Sequence, residues 1–276
     1  MTWLDAIILG IVEGLTEFLP VSSTGHLTIT EKLLGLPVDD PSVTAFTAVI
    51  QIGAILAVVI YFWADIVRLL AAWGRGLFNP ARRTDPDYRM AWLVIIGSIP
   101  IVVVGFLARD LISGPLRSLW VVAVALIVWG FVMLLAEWMA RQDRGERDLN
   151  LVDVLLIGFA QCLALVPGVS RSGATISIGL MRGLDRVTAT RLAFLLGIPA
   201  LIGAGVYELP SALSEGGVGW GPTLVGTVVS FVVAYATVAW LLKYVARHSI
   251  AVFVWYRWAL GAALIVALST GWMAAT

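Results

Sequence analysis

Apolar residues dominate the chain in six runs that each approach the length of a membrane-spanning helix. A helix needs about 20 mostly apolar residues to cross a bilayer. The pattern therefore predicts an all-α polytopic membrane protein with six transmembrane helices. The six runs are Val43–Trp63, Met90–Ala108, Leu119–Ala136, Leu192–Leu209, Thr223–Leu242 and Ile250–Trp272.

Two further apolar regions, residues 3–36 and 151–183, are each interrupted by a polar stretch. The first contains EGLTEFLPVSSTGH and the second contains QCLALVPGVSRSGAT. Apolar arms this short favour re-entrant segments over spanning helices. Irregular backbone at membrane depth has to be buried in protein or line a water-filled cavity. We therefore expect two re-entrant helical hairpins, with Asp5 and Asp153 capping their first arms.

The two halves of the chain resemble each other at a constant offset of 148 residues, which places Gly10 on Gly158 and Ser22 on Ser170. Each half comprises one hairpin and three spans, and an odd number of spans turns the second half upside down. Such inverted repeats place their site near the bilayer midplane, between the halves. The hairpin tips should therefore meet. The predicted repeats are residues 1–137 and 151–272 of a single membrane domain, residues 1–276.

The distribution of Lys and Arg predicts the orientation of this topology. Of the 18 basic residues, thirteen fall on one side, and Lys32, Arg109 and Arg117 fall on the other. The positive-inside rule makes the richer side cytoplasmic, with both termini outside and the first hairpin opening outward. The remaining two, Arg171 and Arg257, fall at membrane depth. Arg257 interrupts the last span, where it either pairs structurally or lines a cavity.

Composition excludes several classes of protein. With 60% hydrophobic and 13% charged residues, the chain does not resemble a soluble globular domain. A net charge of zero gives no reason to expect nucleic acid. A single cysteine rules out a disulfide within the chain, and the absence of CxxC and HExxH patterns argues against zinc.

The first polar stretch carries acidic, hydroxyl and imidazole groups. Glu13 and Glu17 lie four residues apart, on one face of a helical arm. Two such carboxylates can hold a divalent cation, Mg²⁺ or Ca²⁺, or one of them can act as a general base. His26 is the only histidine at membrane depth, and it suggests a proton-transfer or nucleophilic role. The small polar residues beside it are Ser22, Ser23, Thr24 and Gly25.

The second polar stretch supplies an arginine at the hairpin tip. Arg171 either forms a structural pair with Glu13 or Glu17, or clamps a phosphate through its guanidinium. The backbone amides that follow it open a helical arm and can add an anion nest. Candidate phosphate ligands around it are Ser170, Ser172, Gly173 and Thr175. Together the two stretches suit phosphoryl chemistry on a lipid.

Both stretches, together with the QIGAILAVV run from Gln51, closely resemble the motifs of the bacitracin-resistance family, the undecaprenyl pyrophosphate phosphatases of the BacA/UppP type. The resemblance implies hydrolysis of undecaprenyl pyrophosphate to undecaprenyl phosphate and inorganic phosphate at the outer face of the bacterial inner membrane. It also implies bacitracin resistance, with bacitracin competing for the same lipid. By motif position, Glu13 and Glu17 would handle metal and water or a proton. Ser23 or His26 would act as nucleophile or acid–base, and Arg171 would bind phosphate. The supporting ligands would be Ser22, Thr24, Ser170, Ser172 and Thr175.

Several alternatives stay open at this point. The attacking group is Ser23, His26 or a water molecule. A phosphate-lipid flippase could use the same inverted-repeat site. A membrane phosphatase of the acid-phosphatase type fits poorly, because the chain lacks a second intramembrane histidine. The sequence does not fix the oligomeric state, and a homodimer is one option.

Overall fold

The structure, a computed structural model, describes residues 1–38, 40–108, 118–214 and 218–275, without the side chains of residues 207–214. Within these ranges the chain is α-helical and forms no strand. The helices are α1 (Trp3–Thr16), α2 (Ser23–Leu33), α3 (Pro41–Tyr61), α4 (Trp63–Phe78), α5 (Pro86–Leu107), α6 (Leu119–Met139), α7 (Leu151–Leu163), α8 (Arg171–Met181), α9 (Arg186–Ser214), α10 (Trp220–Val245) and α11 (Ala251–Ser269). Two 3-10 turns, Pro80–Arg82 and Glu146–Asp148, lie in the connections.

Six of these helices are long and apolar enough to cross a membrane: α3, α5, α6, α9 up to Val206, α10 and α11. Their mean hydropathies run from 1.7 to 2.7. The predicted six-helix membrane protein is therefore confirmed. Arg109 and Arg117, which the orientation argument assigned to the outer side, lie outside the described residues.

Two pairs of short helices occupy the predicted hairpin regions. Helices α1 and α2 have 14 and 11 residues, and α7 and α8 have 13 and 11. At 1.5 Å per residue they reach only about 16–21 Å, too short for a hydrocarbon core of about 30 Å. The N-caps of the first arms are Thr2 and Asn150. Asp5 and Asp153 complete the two capping boxes from the third helical position, so their predicted part in capping is confirmed. Entry of these hairpins into the membrane stays a prediction.

Each hairpin packs against a span of the other half of the chain. Helix α1 lies along α10, and α7 lies along α5. A Cβ atom at Gly10 would sit 2.6 Å from the carbonyl oxygen of Gly226, and one at Gly158 would sit 2.2 Å from that of Gly97. The backbones therefore touch at two positions that the 148-residue offset relates. This reciprocal packing supports the inverted repeat, which remains a prediction.

The segment after the first predicted span, for which no element was predicted, forms helix α4. Helix α4 buries Leu69, Ala72 and Gly76, whose spacing of three to four residues follows one helical face. Arg68 lies on another face and pairs with Asp65 at 3.0 Å. The apolar residues are too few for a span, yet their spacing of three to four residues is the pattern of an amphipathic helix.

Charged residues gather at one end of the helix bundle. Asp153, with no exposed side-chain surface, pairs with Arg144 at 2.5 Å and with Arg182 at 2.8 Å. Arg191 on α9 reaches Asp65 on α4 at 2.7 Å. Arg144, Arg182 and Arg191 are among the thirteen basic residues that were predicted to lie on the cytoplasmic side. The side of a membrane that this end faces stays a prediction.

Candidate active site

The two polar stretches meet in the structure, as the sequence predicted. The backbone N–H of Gly168 donates to Ser22 Oγ at 3.0 Å. Ser172 Oγ donates to the carbonyl oxygen of Leu19, also at 3.0 Å. These bonds join positions about 150 residues apart and fix the tip of one hairpin against the tip of the other.

Both tips hold a serine in a strained backbone conformation. Ser22 has φ 77° and Ser170 has φ 75°, in each case immediately before the second helix of the hairpin. Positive φ is unfavourable for a residue with a Cβ, and such strain persists where surrounding contacts over-determine the geometry. The tight reversal places Ser23 and Arg171 at the first position of α2 and α8.

Glu17 connects the two motifs chemically. It caps the C-terminus of α1, and its Oε2 accepts a 2.6 Å hydrogen bond from Ser23 Oγ. Its Oε1 accepts from Arg171 Nη2 at 3.1 Å. With side chains only 6% and 15% exposed, the Glu17–Arg171 pair is largely removed from water. A hydroxyl bonded to a carboxylate that a third group orients is the arrangement of an activated nucleophile.

One donor nitrogen of the Arg171 guanidinium is not used in the pair with Glu17. Its Nη1 is buried and has no hydrogen-bond partner among the described residues. Helix α9 passes this nitrogen at Gly197, where a Cβ atom would lie 1.7 Å from Nη1. Glycine is therefore needed for the guanidinium to occupy this position. A buried donor left over beside an ion pair is suited to an incoming anionic group.

The hydrogen bonds of His26 define its tautomer. Nδ1 lies 2.7 Å from the carbonyl oxygen of Ser22, and Nε2 lies 2.7 Å from the hydroxyl of Tyr256. A carbonyl only accepts, so Nδ1 carries the proton and neutral His26 accepts from Tyr256 through Nε2. Ser23 instead donates to Glu17, which makes Glu17 rather than His26 the base nearest to this hydroxyl.

Glu13 lies one helical turn before Glu17 and its side chain is buried. Within the described ranges no cluster of three or more His, Cys, Asp and Glu side chains surrounds this pair. Two carboxylates from the protein fit a Mg²⁺ that takes its other ligands from phosphate and water. The donor set therefore accommodates the predicted divalent cation, which stays a prediction.

Most of the other predicted phosphate ligands bond to the protein. Ser170 Oγ accepts from the Gly173 N–H at 3.2 Å, and the Thr175 hydroxyl donates to the carbonyl oxygen of Arg171 at 2.9 Å. Thr24 is exposed at the start of α2. A Cβ at Gly25 would lie 2.8 Å from a methyl carbon of Val122 on α6. Their contact with phosphate remains a prediction, and Ser23 and Arg171 are the better-placed groups.

Three residues were missed or left undecided at the level of sequence. Arg257 was left open between an ion pair and a cavity position, and it is fully buried against backbone carbonyls of both tips. Tyr256 and Gly197 lie inside apolar spans, where nothing in the pattern distinguishes them from packing residues. The adjacency of Tyr256 to a charged residue at membrane depth was the only available signal.

Comparison with known proteins gives consistent matches. A family model described as bacitracin resistance protein BacA matches residues 6–263. A protein of Frankia casuarinae named undecaprenyl-diphosphatase 3 is 57% identical over the full length of both chains. A Streptomyces avermitilis protein named undecaprenyl-diphosphatase 1 is 60% identical, covering 97% of this chain and 96% of its own. A Cutibacterium acnes undecaprenyl-diphosphatase is 55% identical over 96% of each chain.

Proposed function

Because the chain belongs to the bacitracin resistance protein BacA family, we propose that it hydrolyses undecaprenyl diphosphate to undecaprenyl phosphate and inorganic phosphate. The hydrogen-bonded series Ser23–Glu17–Arg171, built from both hairpin tips, carries this proposal. It brings together a hydroxyl, a carboxylate base and a guanidinium, which are the groups that phosphoryl transfer from a diphosphate requires.

The geometry supports Ser23 as the attacking group. Its proton passes to Glu17 as Ser23 Oγ forms a bond to the terminal phosphorus. The bond from that phosphorus to the bridging oxygen breaks, and undecaprenyl phosphate leaves as an anion. Water then cleaves the phosphoserine and releases inorganic phosphate. Arg171 stabilises the charge on the transferred group, and His26, held by Tyr256, is the second group able to handle a proton.

Glu13 and Glu17 are the residues that would hold a divalent cation, Mg²⁺ or Ca²⁺. Such a cation, when bound, would neutralise charge on the phosphate oxygens. Each carboxylate oxygen of Glu17 already accepts a hydrogen bond, one from Ser23 and one from Arg171. Glu13 would therefore be the main protein ligand of the cation.

The setting of the reaction follows from the predicted topology. We propose that the hairpins are re-entrant, that the site opens on the outer face of the bacterial inner membrane, and that both termini lie outside. Bacitracin would then compete for the same lipid, and a homodimer remains a proposal. The shared name of the relatives, undecaprenyl-diphosphatase, favours hydrolysis over the flippase alternative.

Phosphate release from undecaprenyl diphosphate by the purified protein in detergent tests this function directly. The variants Ser23→Ala, Glu17→Gln and Arg171→Ala each remove one group of the series. We expect each to lower kcat by at least about 100-fold, the scale of a lost nucleophile or transition-state donor. Thr28→Ala is the matched control, because the Thr28 hydroxyl lies one turn further along α2 and donates to the Thr24 carbonyl oxygen at 2.9 Å, outside the Ser23–Glu17–Arg171 series.

Trapping with substrate labelled at the terminal phosphorus tests the attacking group. Acid-stable label on Ser23 of the wild type, absent from Ser23→Ala, is the expected result. Lipid binding without any phosphate release by folded wild type would instead support the flippase.

A further inference from the structure

Arg257 is a buried cation with no acidic partner in the described part of the chain. Its side chain lies on α11 and has no exposed surface. Its guanidinium donates only to backbone carbonyls: Pro20 at 3.1 Å, Gly168 at 2.6 Å, and Ala125 and Leu126 at 3.3 Å each. A buried charge without a counter-ion is costly, so its four acceptors have to account for its presence.

The four acceptors belong to three separate parts of the fold. Pro20 is in the first hairpin tip, Gly168 is in the second tip, and Ala125 and Leu126 lie in the middle of α6. The two helix carbonyls lie where regular α-helix bonding already serves them, whereas the two tip carbonyls lie outside any helix. Hydrogen bonds from Arg257 therefore connect the two tips to each other and to helix α6.

Helix α6 forms the surface on which both tips rest. A Cβ at Gly168, which has φ 99°, would lie 2.6 Å from the carbonyl oxygen of Val122. The same residue, Val122, is the one that Gly25 of the first hairpin approaches. Gly168 also donates its N–H to Ser22 while its carbonyl accepts from Arg257. One peptide segment of the second tip thus bonds to the first tip and to α11.

We propose that Arg257 is a positioning residue that sets the distance between the Ser23–Glu17 pair of one tip and the Arg171 guanidinium of the other. This inference rests on the proposed hydrolysis. Ser23 and Arg171 each follow a strained serine, so small movements of the tips would move both groups. A displacement of about 1 Å in a reacting group can cost about 100-fold in rate.

The test compares Arg257→Lys and Arg257→Met with Trp258→Phe. Lysine keeps the charge but lacks the fork that reaches carbonyls on several segments, and methionine removes both. Trp258 is the matched control, because it is the next residue on α11 and donates to the Ile127 carbonyl of α6 at 3.0 Å, away from the tips. Its replacement removes one α11–α6 hydrogen bond and leaves the tip contacts intact.

Three readouts separate positioning from folding and from catalysis. Steady-state kinetics should show kcat lowered about 10- to 100-fold in Arg257→Lys, further in Arg257→Met, with KM within about threefold of wild type. Amide exchange by mass spectrometry should be faster in peptides covering residues 19–23 and 166–171. Trp258→Phe should change neither, and the Tm of Arg257→Lys should match that of Trp258→Phe.

The outcomes are distinct. Unchanged tip exchange, or wild-type kcat in Arg257→Met, would overturn the proposal. A rise in KM with unchanged kcat would also overturn it, since that pattern indicates direct attraction of the substrate. If Arg257→Met does not fold, Arg257→Lys decides alone. If the wild type releases no phosphate, the proposed function fails, and unchanged exchange in a folded Arg257→Lys would show separately that Arg257 does not fix the tips.

Discussion

Ser22 and Ser170 occupy the same place in the two hairpins, each with φ near 75° and each at the residue before the second helix. They lie 148 residues apart, the offset that relates the two halves of the sequence. The two halves therefore use one strained reversal twice, and the residue that follows differs: Ser23 in the first tip and Arg171 in the second. The same backbone turn, present in both halves, thus places a different candidate reactive group beside the site in each half.

The strain at Ser170 can be separated from the role of its hydroxyl. Ser170→Ala and Ser170→Gly both lose the bond that caps the Gly173 N–H, but only glycine accepts φ 75° without a steric penalty. We expect Ser170→Gly to be more stable than Ser170→Ala by about 1 kcal/mol, which is a few degrees in Tm. Tryptophan fluorescence during heating in detergent measures this. Equal Tm values would show that the backbone at this position is not strained.

The contact between Tyr256 and His26 predicts coupled effects on activity. Tyr256→Phe removes the hydroxyl that donates to Nε2 and leaves the ring, so His26 loses the group that orients it. We expect kcat to fall about 10-fold in Tyr256→Phe and further in His26→Ala, the scale of a general acid–base contribution. The double variant should match His26→Ala, because residues that act as a unit are not additive. Additive losses of kcat in the double variant would show that Tyr256 and His26 act independently.

Phe253→Leu serves as the control for that experiment. Phe253 lies on α11 and stacks edge-on against Trp240 and Tyr244, away from His26. Its replacement should leave the kinetics of phosphate release unchanged even if it lowers Tm. A similar loss of kcat in Phe253→Leu would assign the Tyr256 effect to a general disturbance of α11.

The features that the sequence predicted best depend on residues that are close together in the chain. Spans follow from runs of about 20 apolar residues. The capping boxes of α1 and α7 are equally local, because Asp5 and Asp153 lie three positions after Thr2 and Asn150. The meeting of the tips followed from the offset of 148, because an inverted repeat puts corresponding segments face to face. The pair of Glu17 and Arg171 was among the predicted pairs, because ionisable groups at membrane depth commonly pair with one another.

Other features depend on distant packing and were beyond the sequence pattern. Ser172 and Thr175 have the same chemistry as Ser23, and only the fold shows that their hydroxyls bond to backbone carbonyls. Arg257 finds carbonyl partners because both tips end against α6, which a count of charges does not reveal. Helix α4 was not predicted, because its apolar residues are too few for a span and are interspersed with Arg68 and Arg75.

Chelation tests the predicted cation. We expect EDTA to abolish phosphate release and added Mg²⁺ or Ca²⁺ to restore it, because two carboxylates, phosphate and water can complete the coordination of a hard cation. Glu13→Gln should raise the cation concentration needed for half-maximal activity by about 10-fold or more, the scale of a lost or misplaced ligand. Glu31→Gln, which replaces a buried carboxylate farther along the same hairpin, is the control. Full activity in EDTA would remove the metal from the mechanism.

Asp153 should govern stability without governing catalysis. Burial opposes its ionisation, but Arg144 and Arg182 outweigh that effect and hold its pKa below the ordinary value. Its contribution to stability is therefore complete above the unfolded pKa of about 3.9 and is lost as pH falls through the lower folded value. Asp153→Asn leaves two arginines without their buried partner, and we expect a loss of about 3–5 kcal/mol at pH 7.

Thermal unfolding of wild type and Asp153→Asn between pH 3 and pH 8 measures both parts of this prediction. Across the upper part of that range the difference in Tm should stay constant, and below about pH 4 it should narrow as the wild-type carboxyl becomes protonated. Asp148→Asn is the matched control, because Asp148 is an exposed carboxylate in the 3-10 turn just before α7. The kcat of Asp153→Asn should equal that of wild type at temperatures where the variant stays folded. The reason is that the ion pairs of Asp153 with Arg144 and Arg182 are separate from the Ser23–Glu17–Arg171 series. A Tm difference independent of pH would mean that the charge of Asp153 is not what stabilises this end.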